Sequence, residues 1–168
     1  MKIFASVAVG LMMFLPAQQL ADGFVGMGGM LAPFKQRYGN PFREIDSTLL
    51  DFQRCPGRAP VAGLSVNIHA NGRIRAITRN QCGSSRLSAR EAEADVVRLL
   101  PPDAKKVSSY ATEDGWQGAQ YRSETLANAF PSKAFDDCRK GRLLPGGTVS
   151  YALSPQGTTW VVGLGACL

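Results

Sequence analysis

Residues 64–79 read Leu64-Ser65-Val66-Asn67-Ile68-His69-Ala70-Asn71-Gly72-Arg73-Ile74-Arg75-Ala76-Ile77-Thr78-Arg79, two alternating runs on either side of an Ala-Asn-Gly turn. Alternation with period two sends successive side chains to opposite faces, so the stretch predicts a β-hairpin with one apolar and one polar side. The turn sets its register. A two-residue Asn-Gly turn would put Ile68 opposite Arg75 and Leu64 opposite Arg79, mixing core with charge. A three-residue loop, a type I turn closed by a left-handed glycine, instead pairs His69 with Arg73, Ile68 with Ile74, Val66 with Ala76 and Leu64 with Thr78. The expected polar face then carries Ser65, Asn67, His69, Arg73, Arg75, Ile77 and Arg79.

Two more triplets of this kind follow, Glu113-Asp114-Gly115 and Pro155-Gln156-Gly157, with the three glycines 43 and 42 residues apart. In the last hairpin the same construction pairs Ser154 with Thr158 and Tyr151 with Val161. It places Val149, Leu153 and Thr159 on that face and Ala152 and Trp160 on the other. The outer two hairpins share their flanks: Phe52-Gln53-Arg54-Cys55 precedes the first and Phe135-Asp136-Asp137-Cys138 the third, while Cys82 and Cys167 each lie ten residues past the turn glycine.

Helical signals are fewer. Ser88-Ala89-Arg90-Glu91 is a capping box ahead of the stripe Ala92, Val96, Leu99 and Leu100, stopped by Pro101-Pro102. A second helix is expected from about Gly28 to Tyr38, ended by Gly39-Asn40-Pro41, and Ser123 to Phe130 is a candidate third. Phe42 to Phe52 reads as a strand and Lys133 to Gly147 as a loop. No parallel β-α-β pattern occurs. The expected fold is therefore α+β: an antiparallel sheet built from three hairpins, one or two helices packed on one side, and two disulfides, each within its own unit. Tandem helix-plus-sheet units of this kind are similar in arrangement to small exported inhibitors and outer-membrane assembly lipoproteins, a likeness of architecture that no sequence motif carries.

The chain of 168 residues is 45% apolar and 19% charged, which fits a packed domain and excludes a disordered or collagen-like chain. Lys2, the uncharged run Ile3–Leu15, Pro16 and the small residues Ala17 and Ala21 predict a secretory signal over residues 1–21, too short in its apolar part to span a bilayer. An uncleaved anchor reaching Phe34 is the rival, opposed by Asp22 and the glycines. Residues 22–168 form a single α+β domain, with two tandem subunits, about 28–82 and 88–167, as the alternative division. Four cysteines in an exported chain predict bridges, Cys55 to Cys82 and Cys138 to Cys167. Each closes a loop worth about 3 to 4 kcal/mol in the chain-entropy model. The cysteines lack the close C-x-x-C pairs of zinc sites, so no metal is expected.

His69 is the sole imidazole, which removes mechanisms needing two or more histidines. Ser65, four strand positions away, is roughly 13 Å along the strand and out of its reach. The carboxylate pairs Glu44/Asp46, Glu113/Asp114 and Asp136/Asp137 are not constrained to opposed sides of a cleft, and Gly26-Met27-Gly28-Gly29 has neither P-loop nor dinucleotide spacing. No cofactor is implied. The formal net charge of +6 favours anionic partners. Its most organised expression is Arg73, Arg75 and Arg79 at period two, with Asn67 and His69 across from them, a pattern that presents guanidinium forks to carboxylates or phosphates. Aromatic residues are not interleaved there, which disfavours nucleic acid. Trp116, beside the second turn, is a candidate anchor for a protein or glycan. The resulting expectation is an exported non-enzymatic binding module, inhibitor-like or envelope-associated and periplasmic or extracellular, that recognises an anionic protein or envelope polymer through Arg73, Arg75, Arg79, His69, Asn67 and Trp116. The alternatives are a small secreted hydrolase using His69 and a structural envelope protein.

Overall fold

The computed structural model describes residues 23–57, 61–137 and 141–166. The expected signal over 1–21 lies outside the described residues, as do Cys138 and Cys167. The protein is α+β, with three α-helices among the described residues on an eight-stranded antiparallel sheet. In chain order the elements are α1 (Leu31–Tyr38), β1 (Arg43–Glu44), β2 (Leu49–Arg54), β3 (Ala62–Ile68), β4 (Ile74–Asn80), α2 (Ala89–Val97), β5 (Lys105–Ala111), β6 (Gln117–Arg122) and α3 (Glu124–Ala129). A 3-10 turn at Ser132–Ala134 follows, then a two-stranded ladder of β7 (Asp136–Asp137) and β8 (Arg142–Leu143), and finally β9 (Thr148–Leu153) and β10 (Thr159–Leu164).

Spatial order in the sheet is β1-β2-β3-β4-β10-β9-β6-β5. Each half runs outward-to-inward in chain order, and the last strands of the two halves meet at the centre. At that seam Ile77 faces Val162, flanked by Ala76 with Gly163 and Thr78 with Val161. Ile77 and Val162 are 85 residues apart, as are the turn glycines Gly72 and Gly157, so the pairing is symmetric about this contact. One apolar row crosses six strands: Leu50, Val66, Ile77, Val162, Tyr151 and Ala119. All belong to a single buried cluster to which Phe34 of α1, Ala92 and Val96 of α2 and Leu126 of α3 also belong. The three helices thus seal one face of the sheet. The other face carries no helix among the described residues.

The Ser88 capping box, the left-handed turn glycines and the three-residue loops of the first two hairpins are as read from the sequence. Ser88 and Glu91 form a reciprocal capping box, and Ser123 caps α3 by accepting the Leu126 N–H at 3.2 Å. Gly72, Gly115 and Gly157 all take positive φ. Cys55 and Cys82 are bonded, with Cα atoms 5.2 Å apart. The glycines that precede α1 serve close approach rather than ligand binding. Residues 26–29 press between α2 and β4, with Met27 N–H donating to Leu99 O and Gly28 N–H to Ile74 O, both at 2.8 Å. A Cβ on Gly26 would come within 2.3 Å of the Leu99 carbonyl oxygen.

Several expectations need correction. Phe42–Phe52 is not one strand but the short hairpin β1-β2, turned at Asp46, whose carboxylate accepts the Thr48 and Leu49 N–H groups at 2.7 and 2.9 Å. That partly alternating stretch hid a reversal. The Lys133–Gly147 loop holds the 3-10 turn and the β7-β8 ladder, and the α-helices among the described residues number three. The first hairpin keeps its loop and the Ile68–Ile74 pair, but the register then shifts: Val66 faces Ile77, Ser65 faces Thr78 and Leu64 faces Arg79. Arg75 is the extra residue of a β-bulge. Without it Ile77 would point to solvent, whereas with it Ile77 is fully buried. The third hairpin makes the same adjustment in its loop. Ser154 N–H bonds Thr159 O, so four residues turn the chain, Tyr151 faces Val162 and Leu153 faces Trp160. Ser154 Oγ accepts the N–H groups of Thr158 and Thr159, which holds the longer loop. Trp160, expected on the face opposite that of Tyr151 and Leu153, shares their face and is 1% exposed in the core.

Ile77→Ala should therefore cost about 2–5 kcal/mol in urea denaturation, the range for truncating a buried isoleucine. Arg75→Ala should change stability by no more than about 0.5 kcal/mol. Equal, small effects would restore the unbulged register.

Candidate functional site

The bulge decides where the hairpin's arginines go. Arg75 is exposed and has no hydrogen bond or ion pair among the described residues. It lies with Ala76 across from half-buried Asn67, on the helix-free face. Arg73 is half-buried, and its Nη1 donates to Gly28 O at 2.8 Å, fastening the segment ahead of α1 to the start of β4. Arg79 is set in the core-side row between Leu64 and Trp160. The three guanidinium groups that period two would place side by side are thus separated, and Asn67 and Arg75 are the pair brought together.

His69 begins the turn, and its backbone N–H donates to Arg73 O. Its Nδ1 accepts the Asn71 N–H at 3.3 Å, and its ring stands edge-on to Phe130 with centroids 5.4 Å apart. The adjoining Asn71 side chain donates to Ala129 O at 2.9 Å. The imidazole therefore helps dock the hairpin tip on the end of α3. Ser65 donates its hydroxyl to Asp51 Oδ1 at 2.7 Å instead of approaching His69. Trp116 is half-buried beside Thr112, which donates its backbone N–H to Trp116 O. It sits just beyond the row Gln117, Leu153, Trp160 and Arg79, at the end of the sheet opposite Arg75. Among the described residues no group of three or more His, Cys, Asp or Glu gathers where a metal could bind.

The helix-free face is built from small and polar side chains. One row across it reads Asp51, Ser65, Thr78, Val161, Ala152 and Gly118, and the next Leu49, Asn67, Ala76, Gly163, Ser150 and Gln120. Larger groups stand at its margins. Arg43 from β1 clamps the buried Asp51, donating from Nε to Oδ2 at 2.7 Å. On the far side Tyr110 crosses over Gly118 and donates its hydroxyl to Tyr151 O at 2.8 Å. Arg75 projects from this face near the start of β4 as a cation without an ion pair among the described residues.

Two groupings escaped the sequence reading. Glu93 of α2 accepts hydrogen bonds from the Lys106 ammonium at 2.6 Å and from the Tyr121 hydroxyl. These bonds, the Lys106 one largest, hold its carboxyl below the usual range against the opposing effect of burial. Tyr121 is pushed well above the ordinary tyrosine value, by burial first and then by its bond to Glu93. Neighbouring Tyr151 is pushed up to about 12, by burial and then by the charges of Glu93 and Tyr110, and its buried hydroxyl has no hydrogen-bond partner among the described residues. The second grouping lies at the β5-β6 end of the sheet, where Lys105 faces Arg122. The bulge at Val107 creates that pairing, since the turn alone would set Lys106 against Arg122. Comparison of the chain with protein-family models, curated proteins and solved structures returns no match.

An unfolded tyrosine ionises near 10, whereas Tyr151 keeps its proton to about 12. The unfolded chain thus releases its proton first, and stability falls as pH rises through that window. A urea series across it should show a falling midpoint, with a shallower fall for Tyr151→Phe. At pH 7 the same substitution removes an unpartnered buried hydroxyl and should leave stability unchanged or raise it by about 1 kcal/mol. A clear loss at pH 7 would mean that the hydroxyl is bonded.

Proposed function

We propose that this protein is an exported, non-enzymatic binding module that captures an anionic protein or envelope polymer on the helix-free face of its sheet, with Arg75 as the charged contact and Asn67 beside it. The observation that carries the reading is the exposed guanidinium, unpaired among the described residues, that a β-bulge projects beside the small side chains of the central strands. Bulges re-aim side chains, and an arginine fork suits carboxylate or phosphate. Small side chains along the central strands let a partner approach the sheet closely, while the clamped Arg43–Asp51 pair and Tyr110 form stiff margins. Arg73, Arg79, His69 and Trp116 contribute by holding the hairpin and its surroundings in place. The hydrolase alternative finds less support, since His69 is engaged with Asn71 and Phe130.

Export is supported by the leader-like residues 1–21 and by the Cys55–Cys82 bridge, because such bonds persist in oxidising compartments. Cys138 and Cys167 form the second bridge in this reading. Ala166 N–H donates to Asp136 O at 2.8 Å, which brings together the chain immediately preceding the two cysteines.

Immobilised oxidised protein lacking residues 1–21 should retain partners from an envelope or culture-supernatant fraction and release them with salt. Arg75→Glu should reduce capture at least tenfold, and Arg90→Glu, on α2, should not. Equal capture by the wild type and Arg75→Glu would remove this face from consideration. Peptide mapping without reductant should yield a Cys138–Cys167 crosslinked pair and no free thiol, and free thiols at these positions would refute the second bridge.

A further inference from the structure

We propose a second binding site, separate from Arg75: a pocket at the β5-β6 end of the sheet that takes a small organic monocarboxylate with an apolar tail, its carboxylate held between Lys105 and Arg122. The pocket has a volume of about 480 Å³ and is lined by Lys105, Val107, Arg122, Glu124, Ala127 and Gly146 together with Asp103 and Ser123. That size falls within the range of small-molecule sites.

The charges around it divide into those already engaged and those left over. Asp103 is engaged: its Oδ1 accepts the Ser123 hydroxyl at 2.8 Å and its Oδ2 the Thr125 N–H at 2.9 Å. Burial opposes its charge, but these bonds prevail and keep its carboxyl below the ordinary value. Lys106, next along β5, is engaged by Glu93 on the other face. Lys105 and Arg122 remain. They are directly opposed across the β5-β6 ladder, both exposed, and neither is paired with a carboxylate among the described residues. Two like charges facing each other across strands repel, and an anion set between them relieves the repulsion. Glu124, exposed and unpaired among the described residues, adds one negative charge and Asp103, whose donors are neutral, keeps another, so the two cations and two carboxylates of the lining balance. A monoanion seated between the cations meets less repulsion from Asp103 and Glu124 than a doubly charged phosphate would.

The rest of the lining determines the tail. Val107, the bulged residue of β5, is 65% exposed and offers its apolar surface to the pocket. Ala127 and Gly146 close the opposite wall with minimal side chains, and a Cβ on Gly146 would reach the Ala127 methyl at 3.5 Å. These apolar walls suit an aliphatic or aromatic tail and offer no hydrogen bonds to a polar one.

The test is a titration of the isotope-labelled, oxidised protein followed by backbone amide NMR at constant ionic strength, with sodium benzoate, benzyl alcohol, sodium acetate and inorganic phosphate as probes. Benzoate should give saturable shifts confined to residues around 105–107, 122–127 and 146. Benzyl alcohol and acetate should each bind at least fivefold more weakly, one lacking the charge and the other the tail, and phosphate should not outcompete benzoate. Arg122→Gln and Lys105→Gln should each weaken benzoate binding about tenfold, Glu124→Gln should tighten it, and Arg75→Glu should leave it unchanged. Shifts that do not saturate, that appear equally with benzyl alcohol, or that survive both cation substitutions would overturn the proposal. Because capture through Arg75 is read separately, either site can fail alone.

Discussion

The pairing of β4 with β10 is the contact on which the rest depends. Each half of the chain makes a four-stranded antiparallel array whose inner edge would be left open, and open edges recruit unwanted strands. Joining the two last strands closes both edges at once and turns two half-cores into one continuous apolar layer. Ile77 against Val162 lies at the middle of that joint, with larger rows building outward to Leu50 and Ala119. The polar margin of the seam is specific too: Thr159 Oγ1 donates to Asn80 Oδ1, and the Asn80 amide donates to Ala62 O, both at 2.8 Å. Register across the joint is thereby tied to the neighbouring strand β3.

Much of this was legible from residue types alone. Three turns with glycine at the third position, the capping box at Ser88 and the bridge between Cys55 and Cys82 all rest on local chemistry, in which a few adjacent residues specify the geometry. What escaped was parity. In β4 the sequence Ile74-Arg75-Ala76-Ile77 keeps an acceptable alternation if Ala76 is taken as inward, and only the greater burial gain of Ile77 shows that a residue must be skipped. The signal existed in two isoleucines three positions apart, a spacing that a regular strand cannot bury on one side. In β10 the run Trp160-x-Val162-x-Leu164 was the better guide to the inner face than the turn triplet, because Trp160 has far more apolar surface to bury than Thr159.

The candidate site was less legible for the same reason. Period two suggested a row of three guanidinium groups, but the skipped residue and the segment ahead of α1 divide them among three tasks. Likewise, Lys105 opposite Arg122 depends on the bulge at Val107, which a turn-based count does not include. Each of these insertions displaces a charge while it seats a hydrophobic residue. Core packing and surface chemistry are linked in this fold because both are set by the same single-residue choices.

The segment carrying Met27 has a bearing on how the chain assembles. Its amides are satisfied by Leu99 and Ile74 carbonyls, one in each half of the molecule. Met27 can therefore dock only once chain about seventy residues further on is in place, and closing so long a span is slow relative to local hairpin formation. The docked position of Met27 exists only when both halves of the sheet are in place.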